Sequence, residues 1–178
     1  DVRADAVPID VPRGDGQLMC TTDGFKVQPI EFPGGDIGRL AVHGTANDLA
    51  MVGARPLHLS LGLILEEGLE LALLRRVIAS LAASARACGV TIVTGDTKVV
   101  ERGKGDGIFI NTSGLGLLEA PEPIGPAAIR AGDQLLVSGD LGRHGVAILA
   151  ARHGLKLQPP LASDCAPLWP LVEQLLAA

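Results

Sequence analysis

Three carboxylates in this sequence sit where a hard cation would need them. Asp23 follows Thr21-Thr22 at the end of a short apolar run, and Asp96 follows Thr94-Gly95 at the end of another. Asp48, with Asn47 beside it, falls on a stretch of helical spacing. Strand ends and a helix face can meet at one edge of a sheet. Carboxylates without His or Cys suit Mg2+, which takes one or two of them together with phosphate oxygens. Each of the three also reads as an ordinary turn or cap residue, as Asp often is. Beyond Asp96 come Thr97 and Lys98, then Glu101-Arg102-Gly103-Lys104-Gly105-Asp106-Gly107. This stretch is predicted as one flexible loop, in which glycines free backbone N–H groups and Lys98, Arg102 and Lys104 supply positive charge. That combination is what polyphosphate binding requires, and a plain solvated surface loop has the same composition.

Other chemistries lack their patterns. There is no G-x-x-x-x-G-K-[ST], no G-x-G-x-x-G opening a helix and no H-E-x-x-H. His43, His58, His144 and His153 are not paired at metal-ligand spacing, and Ser113 and Ser138 have no G-x-S-x-G setting. Cys20, Cys88 and Cys165 are odd in number and far apart, which reads as reduced thiols rather than a disulfide framework or zinc site.

The elements that must position these residues alternate. A strand over 17–22 is predicted to end at Asp23, with a second over 25–30. Ile37, Leu40, Ala41, Gly44, Asp48 and Leu49 then mark a helix capped by Asp36 and ended by Gly53. Pro56 opens a strand in which Leu57, Leu59, Leu61 and Leu63 alternate. Leu71, Leu74, Ile78, Leu81, Ala82 and Ala85 mark a long amphipathic helix ending near Gly89. Strands over 90–94 and 108–118 follow. The Pro, Ala and Gly content of 119–132 reads as a linker, followed by a strand over 134–138, a glycine-rich turn, and helices near 146–152 and 168–176. The order implies a sheet covered by helices, without fixing strand direction. The second unit is too short to close a core of its own.

Composition narrows the class. Fifteen basic and twenty acidic residues leave a net charge of −5, and only 2% of residues are aromatic. A nucleic-acid surface needs basic patches and stacking platforms, so none is expected. No uncharged apolar run reaches the ~18 residues of a membrane helix, and residues 1–5 do not open like a signal peptide. The expectation is a soluble, cytoplasmic chain.

Several motifs together resemble the HypE family of hydrogenase maturation proteins, within the AIR-synthase (PurM-like) superfamily. They are Phe32-Pro33-Gly34-Gly35-Asp36-Ile37-Gly38, Gly44-Thr45-Ala46-Asn47-Asp48-Leu49-Ala50, Ile64-Leu65-Glu66-Glu67-Gly68 and the run from Val93 to Thr112. Leu136-Val137-Ser138-Gly139 with Gly142, His144 and Gly145, and Ser163-Asp164-Cys165-Ala166, continue the match. The resemblance implies an α+β fold: a PurM-like N-terminal domain over 1–120, a linker over 121–132, and the beginning of a PurM-like C-terminal domain over 133–178. It implies a homodimer whose two sheets close into a barrel, with ATP near the interface. By the same analogy Asp23, Asp48 and Asp96 organise Mg2+, and Asn47, Asp96, Thr97, Lys98, Arg102 and Lys104 hold the nucleotide. Lys98 becomes the catalytic cation, and Asp5 a further match to the family's early Asp-rich strand. Glu66 and Glu67 are motif residues without an assigned role.

The activity implied is ATP-dependent dehydration of a carbamoyl group on a C-terminal cysteine to a thiocyanate, with the carbamoyltransferase HypF and the HypC–HypD scaffold complex as partners. The family's glycine-rich N-terminal segment and terminal cysteine are missing here, so the chain alone is expected to be inactive. Gly24 and His43 stand where Ser and Cys are commoner. AIR synthase, selenophosphate synthetase and thiamine-phosphate kinase are the alternatives within the superfamily, and a non-catalytic maturation scaffold is the alternative outside it.

Overall fold

A computed structural model describes residues 16–178. Asp5 lies outside the described residues. The helix that carries Asn47 and Asp48 is α1 (Ile37–Met51), and it begins where the sequence predicts. Asp36 caps it: its Oδ1 accepts from the backbone N–H of Gly38 at 2.7 Å and of Arg39 at 2.9 Å, satisfying two donors that have no partner inside the helix. Gly53, at φ 79°, turns the chain out of the helix in the left-handed conformation that glycine adopts without strain. The second helix, α2 (Leu71–Cys88), ends at Gly89 in the same conformation.

Four strands form the main sheet in the order β1-β6-β4-β5: β1 (Leu18–Phe25), β4 (Ala54–Glu66), β5 (Thr91–Val100) and β6 (Ile108–Leu118). β6 runs antiparallel to β1 and β4, whereas β4 and β5 are parallel and joined through α2. A small hairpin of β2 (Glu31–Phe32) and β3 (Gly35–Asp36) leads into α1. Both long helices cover one face of the sheet. The core lies beneath them, with Ile37, Val42, Leu49, Leu59, Val77 and Ile110 fully buried.

The fold corrects four expectations. β1 runs unbroken through Asp23 to Phe25, and residues 26–30 form no strand. β5 extends six residues past Thr94, so Gly95, Asp96, Thr97 and Lys98 belong to a strand and not to a loop; the parallel partner β4 gives them a ladder. β4 starts at Ala54, with a bulge between Pro56 and His58 where proline cannot donate to the ladder. Residues 134–138 form no strand: no partner pairs with them among the described residues, and Leu135, Leu136 and Val137 stand exposed.

Past β6 the chain carries α3 (Arg143–Arg152) and α4 (Trp169–Leu176). Between them, residues 163–168 lie back across the first unit. The Ser163 N–H donates to the Pro33 carbonyl at 2.8 Å, and Trp169 is buried at the start of α4.

Seating α1 on α2 requires Gly38. A Cβ there would stand 2.6 Å from the Val77 carbonyl oxygen, which is backbone and cannot rotate away. Gly38→Ala is expected to lower unfolding free energy by about 1–3 kcal/mol through overpacking, measured by urea denaturation; unchanged stability would mean that the two helices have slack at this contact.

Candidate functional site

Sheet register decides which predicted residues meet. Asp23 pairs with Thr112 across β1 and β6, and Thr112 is buried under the helices, its hydroxyl against that of Thr45 in α1. Asp23 therefore points to the helix-covered face. Asp48 reaches the same place from α1, accepting from the Thr21 hydroxyl at 3.3 Å. Gly44, one turn earlier, leaves room there: a Cβ on it would lie 3.8 Å from Asp23 Oδ2 and would collide with the Phe25 ring. Asp23 and Asp48 thus form one oxygen-rich corner where α1 crosses β1. Among the described residues no lysine or arginine comes within ion-pair distance of either carboxylate.

Asp96 is elsewhere. It shares a row with Gly62 and Asn111 on the uncovered face of the sheet, at the opposite edge from Asp23. Three strand spacings separate those edges, roughly 14 Å, and the sheet itself stands between the two faces. Among the described residues no cluster of three or more His, Cys, Asp or Glu side chains is placed to hold a metal. The three carboxylates expected to converge are therefore split two and one within a single chain.

The uncovered face has its own pattern. Thr22, Ser113, Ser60 and Thr94 form one hydroxyl row across all four strands, and Gly24, Asn111, Gly62 and Asp96 form the next. A depression of about 550 Å³ is lined there by Ser60, Gly62, Thr94, Gly95, Asp96 and Asn111. Lys98, two residues along the same face, pairs with Asp96 at 2.9 Å. Its ammonium and the Thr97 N–H hold the Asp96 carboxyl below its ordinary range. Both side chains are largely solvated, so the pair is mobile and contributes little to stability. Thr97 alternates to the other face.

The glycine-rich loop after β5 corrects a further expectation. The N–H groups of Gly103, Lys104 and Gly107 are already engaged. Glu66, at the end of β4, accepts from Gly103 N at 2.6 Å and Gly107 N at 3.0 Å, and these bonds hold its carboxyl below the usual range. Arg102 lies across Gly68, Lys26 pairs with Asp106, and the Lys104 N–H closes a turn on the Glu101 carbonyl. Glu66 is thus the clasp of this loop, a role that spacing alone did not reveal. The Arg102 and Lys104 side chains remain at the rim, while the backbone that would have cradled phosphate is in part already satisfied.

Asn47 is likewise engaged. Its Nδ2 donates to the Ala166 carbonyl at 3.0 Å and its Oδ1 accepts from the Leu168 N–H at 2.9 Å. His43, on the same helix, is buried with Nδ1 3.1 Å from Cys88 Sγ. Burial, aided by the Arg39 charge, pushes the imidazole down to about 4; burial, with Cys165 nearby, pushes the Cys88 thiol up to about 11. Both are neutral at pH 7, so this is a neutral hydrogen bond and not a thiolate–imidazolium pair. A cleft of about 630 Å³ runs between α1, where Leu40, His43, Gly44 and Asn47 line it, and residues 137–144 and 164–168.

A family model described as AIR synthase related protein, N-terminal domain, matches residues 3–118. The chain belongs to this family. Within it the chain sides with the HypE proteins: carbamoyl dehydratase HypE of Cupriavidus necator is 52% identical over 173 residues, 97% of this chain and 49% of that protein. The crystal structure of hydrogenase maturation protein HypE in complex with ATP superposes with a TM-score of 0.93 at 50% identity, over 98% of this chain and 51% of that one. The HypE–HypF complex gives 0.87 at 48% identity, over 90% of this chain and 52% of that one. This chain spans about half the length of the relatives it matches. The expected α+β class and the HypE resemblance both hold. Among the described residues no helix is long and apolar enough to cross a membrane.

Two outcomes follow from the local chemistry. Glu66→Ala removes the clasp, so trypsin should cut after Arg102 and Lys104 severalfold faster with little change in melting temperature; unchanged cleavage would mean the loop holds itself. For His43 the folded-state value lies below the ordinary 6.5. The unfolded chain therefore binds the proton first, and stability falls as pH drops from 6.5 toward 4, by at most about 1.4 kcal/mol per pH unit. His43→Gln should flatten that limb of a melting-temperature profile by one proton's worth; identical profiles would remove His43 from the acid response.

Proposed function

We propose that this chain is the nucleotide-binding part of an ATP-dependent carbamoyl dehydratase of hydrogenase maturation. The observation that carries the reading is the Asp23–Asp48 corner, set in a chain about half identical to HypE proteins, one of them solved with ATP. The substrate is a carbamoyl group on a cysteine thiol, and the product is the thiocyanate that becomes an iron-bound cyanide. The amide oxygen attacks the γ-phosphorus of ATP, releasing ADP. Loss of the N–H protons and departure of phosphate then leave the nitrile. An amide oxygen is a poor leaving group and phosphate a good one, so the protein's task is orientation and charge stabilisation.

The donor set fits Mg2+. Two carboxylates without a cationic partner among the described residues, flanked by the Thr21 hydroxyl, match the hard oxygen ligands that ion takes, leaving positions for phosphate and water. Bound there, Mg2+ would offset phosphate charge. Asp96 and Lys98 contribute from the uncovered face, with Thr97 beside them in β5 and Arg102 and Lys104 from the loop that follows. Since the sheet divides that face from Asp23 and Asp48 in one chain, a second copy would have to bring its Asp96 and Lys98 to the corner. A homodimer with a barrel between the subunits, the partner's β5 edge set beside this chain's β1, would do so. Lys98, exposed and paired among the described residues with Asp96, would be the cation that meets the transferring phosphoryl group.

In this reading residues 1–120 bind nucleotide and pair, 121–132 link, and 133–178 begin a second domain. HypF is the carbamoyl donor partner, supported by the solved HypE–HypF complex, with HypC–HypD as acceptor and the cytoplasm as compartment.

The test is calorimetry of Mg-ATP binding to the whole protein. Asp48→Asn should weaken affinity about tenfold or more, on the order of 1.4 kcal/mol, while the mass in solution stays that of a dimer. Equal affinity in the variant would remove the carboxylate corner from the nucleotide site.

A further inference from the structure

Both polar atoms of the Asn47 amide bond a backbone 119 and 121 residues away. One N–H donates to the Ala166 carbonyl and the oxygen accepts from the Leu168 N–H, so the side chain completes the pairing that a neighbouring strand would supply. Few side chains can do this. Aspartate lacks the donor, and an aliphatic residue would leave both backbone groups without a partner. The contact is not isolated. Two turns earlier on α1, Arg39 forks onto the Cys165 carbonyl at 3.1 and 2.9 Å, and the Pro33 carbonyl takes the Ser163 N–H. Residues 163–168 are therefore strapped along α1 by hydrogen bonds with Pro33, Arg39 and Asn47, while His144 Nδ1 meets the Ser163 hydroxyl at 2.9 Å from the other side.

The strap bounds the cleft described above, and α1 forms the facing wall through Leu40, His43, Gly44 and Asn47. At Gly44 that wall adjoins the Asp23 carboxylate, and the next residue after Asn47 is Asp48. One helical segment thus carries, on adjacent sides, the clamp on the strap and the carboxylate corner.

We propose that Asn47 is a positioning residue: by clamping residues 163–168 onto α1 it sets the cleft, so that the acceptor group entering there is held against a nucleotide bound at Asp23 and Asp48. This rests on the nucleotide reading of that corner. It also gives Asn47 a task other than contacting ATP. With one bond already made by each of its polar atoms, its orientation is set by the strap, and its task is alignment of the acceptor in place of nucleotide binding. A displacement of about 1 Å in a reacting pair costs up to about 100-fold in rate.

The experiment uses the whole protein, carbamoylated on its acceptor cysteine, as wild type, Asn47→Ala, Asn47→Gln, Arg39→Lys and Asp48→Asn. Three quantities are read: Mg-ATP affinity, the single-turnover rate of thiocyanate formation, and hydrogen exchange at the Leu168 amide. Asn47→Ala should keep affinity within about twofold, slow the chemical step by about 10- to 100-fold and speed Leu168 exchange. Asn47→Gln, which retains the amide, should recover part of both. Arg39→Lys, which loosens the strap from a separate anchor, should reproduce the slow step without touching Asn47.

A loss of affinity in Asn47→Ala matching that of Asp48→Asn would overturn the proposal by making Asn47 a nucleotide ligand. So would faster Leu168 exchange with an unchanged rate, which would leave only a structural brace. Equal affinity in wild type and Asp48→Asn would instead sink the nucleotide reading. Asn47 would then keep only whatever clamp the exchange data show.

Discussion

The structure depends on how closely α1 can lie on the sheet. The residues it meets there are small. Gly44 accommodates the Phe25 ring, Gly114 of β6 accommodates Thr45 and Leu49, and Gly38 lets α2 approach to backbone contact. Filling those positions would lift the helix by the width of a methyl group, and interiors packed to crystal density do not absorb such a shift. The close fit has a chemical consequence, because α1 carries Asp48 to Thr21 and Asn47 to residues 163–168 from one rigid rod. Its start is set by the Asp36 cap and its end by Gly53, so neither its register nor its direction is left to the contacts it makes.

A second constraint is the alternation of side chains across a strand. It assigns Asp23 and Asp96 to opposite faces although they occupy adjacent rows of the same sheet. The covered face is apolar except where Thr21, Asp23 and Thr112 meet α1. The uncovered one presents hydroxyls, an amide and a solvated ion pair in its central rows, with Leu18, Ile64, Phe109, Leu115 and Leu117 in the rows that flank them. A face of that mixed composition fits a barrel interior or a seam between two sheets. Whatever chemistry Asp96 and Lys98 take part in must be reached from that side.

Legibility in the sequence followed the strength of local signals. The start of α1 could be read from Asp36 and the apolar spacing after it, the end of α2 from Gly89, and β6 from its long uncharged run. The continuation of β5 could not. Gly95, Asp96, Thr97 and Lys98 read as a turn, and they are extended only because β4 offers a parallel ladder, a tertiary effect invisible to propensity. The roles of Glu66 and Asn47 were hidden for a similar reason. Each is decided by a partner far along the chain, Gly103 and Gly107 for one and Ala166 and Leu168 for the other. Residues 134–138 show the converse: their apolar pattern is that of a strand, yet a strand is a relation between segments and no partner pairs with them among the described residues.

The way the second unit is attached bears on how the molecule can work. Residues 163–168 are held to α1 and the β2–β3 hairpin by hydrogen bonds with Asn47, Arg39 and the Pro33 carbonyl, alongside the apolar burial of Ile148 and Trp169 in the helices on either side. Such bonds net about 0.5–1.5 kcal/mol each, rising to about 3 where one partner is charged. That scale is comparable to the differential binding energy by which a ligand shifts a two-state equilibrium. Under the proposed function, bonds of this strength would hold the cleft beside α1 in one shape while an acceptor is aligned there, and the number of them made would set how firmly it is held.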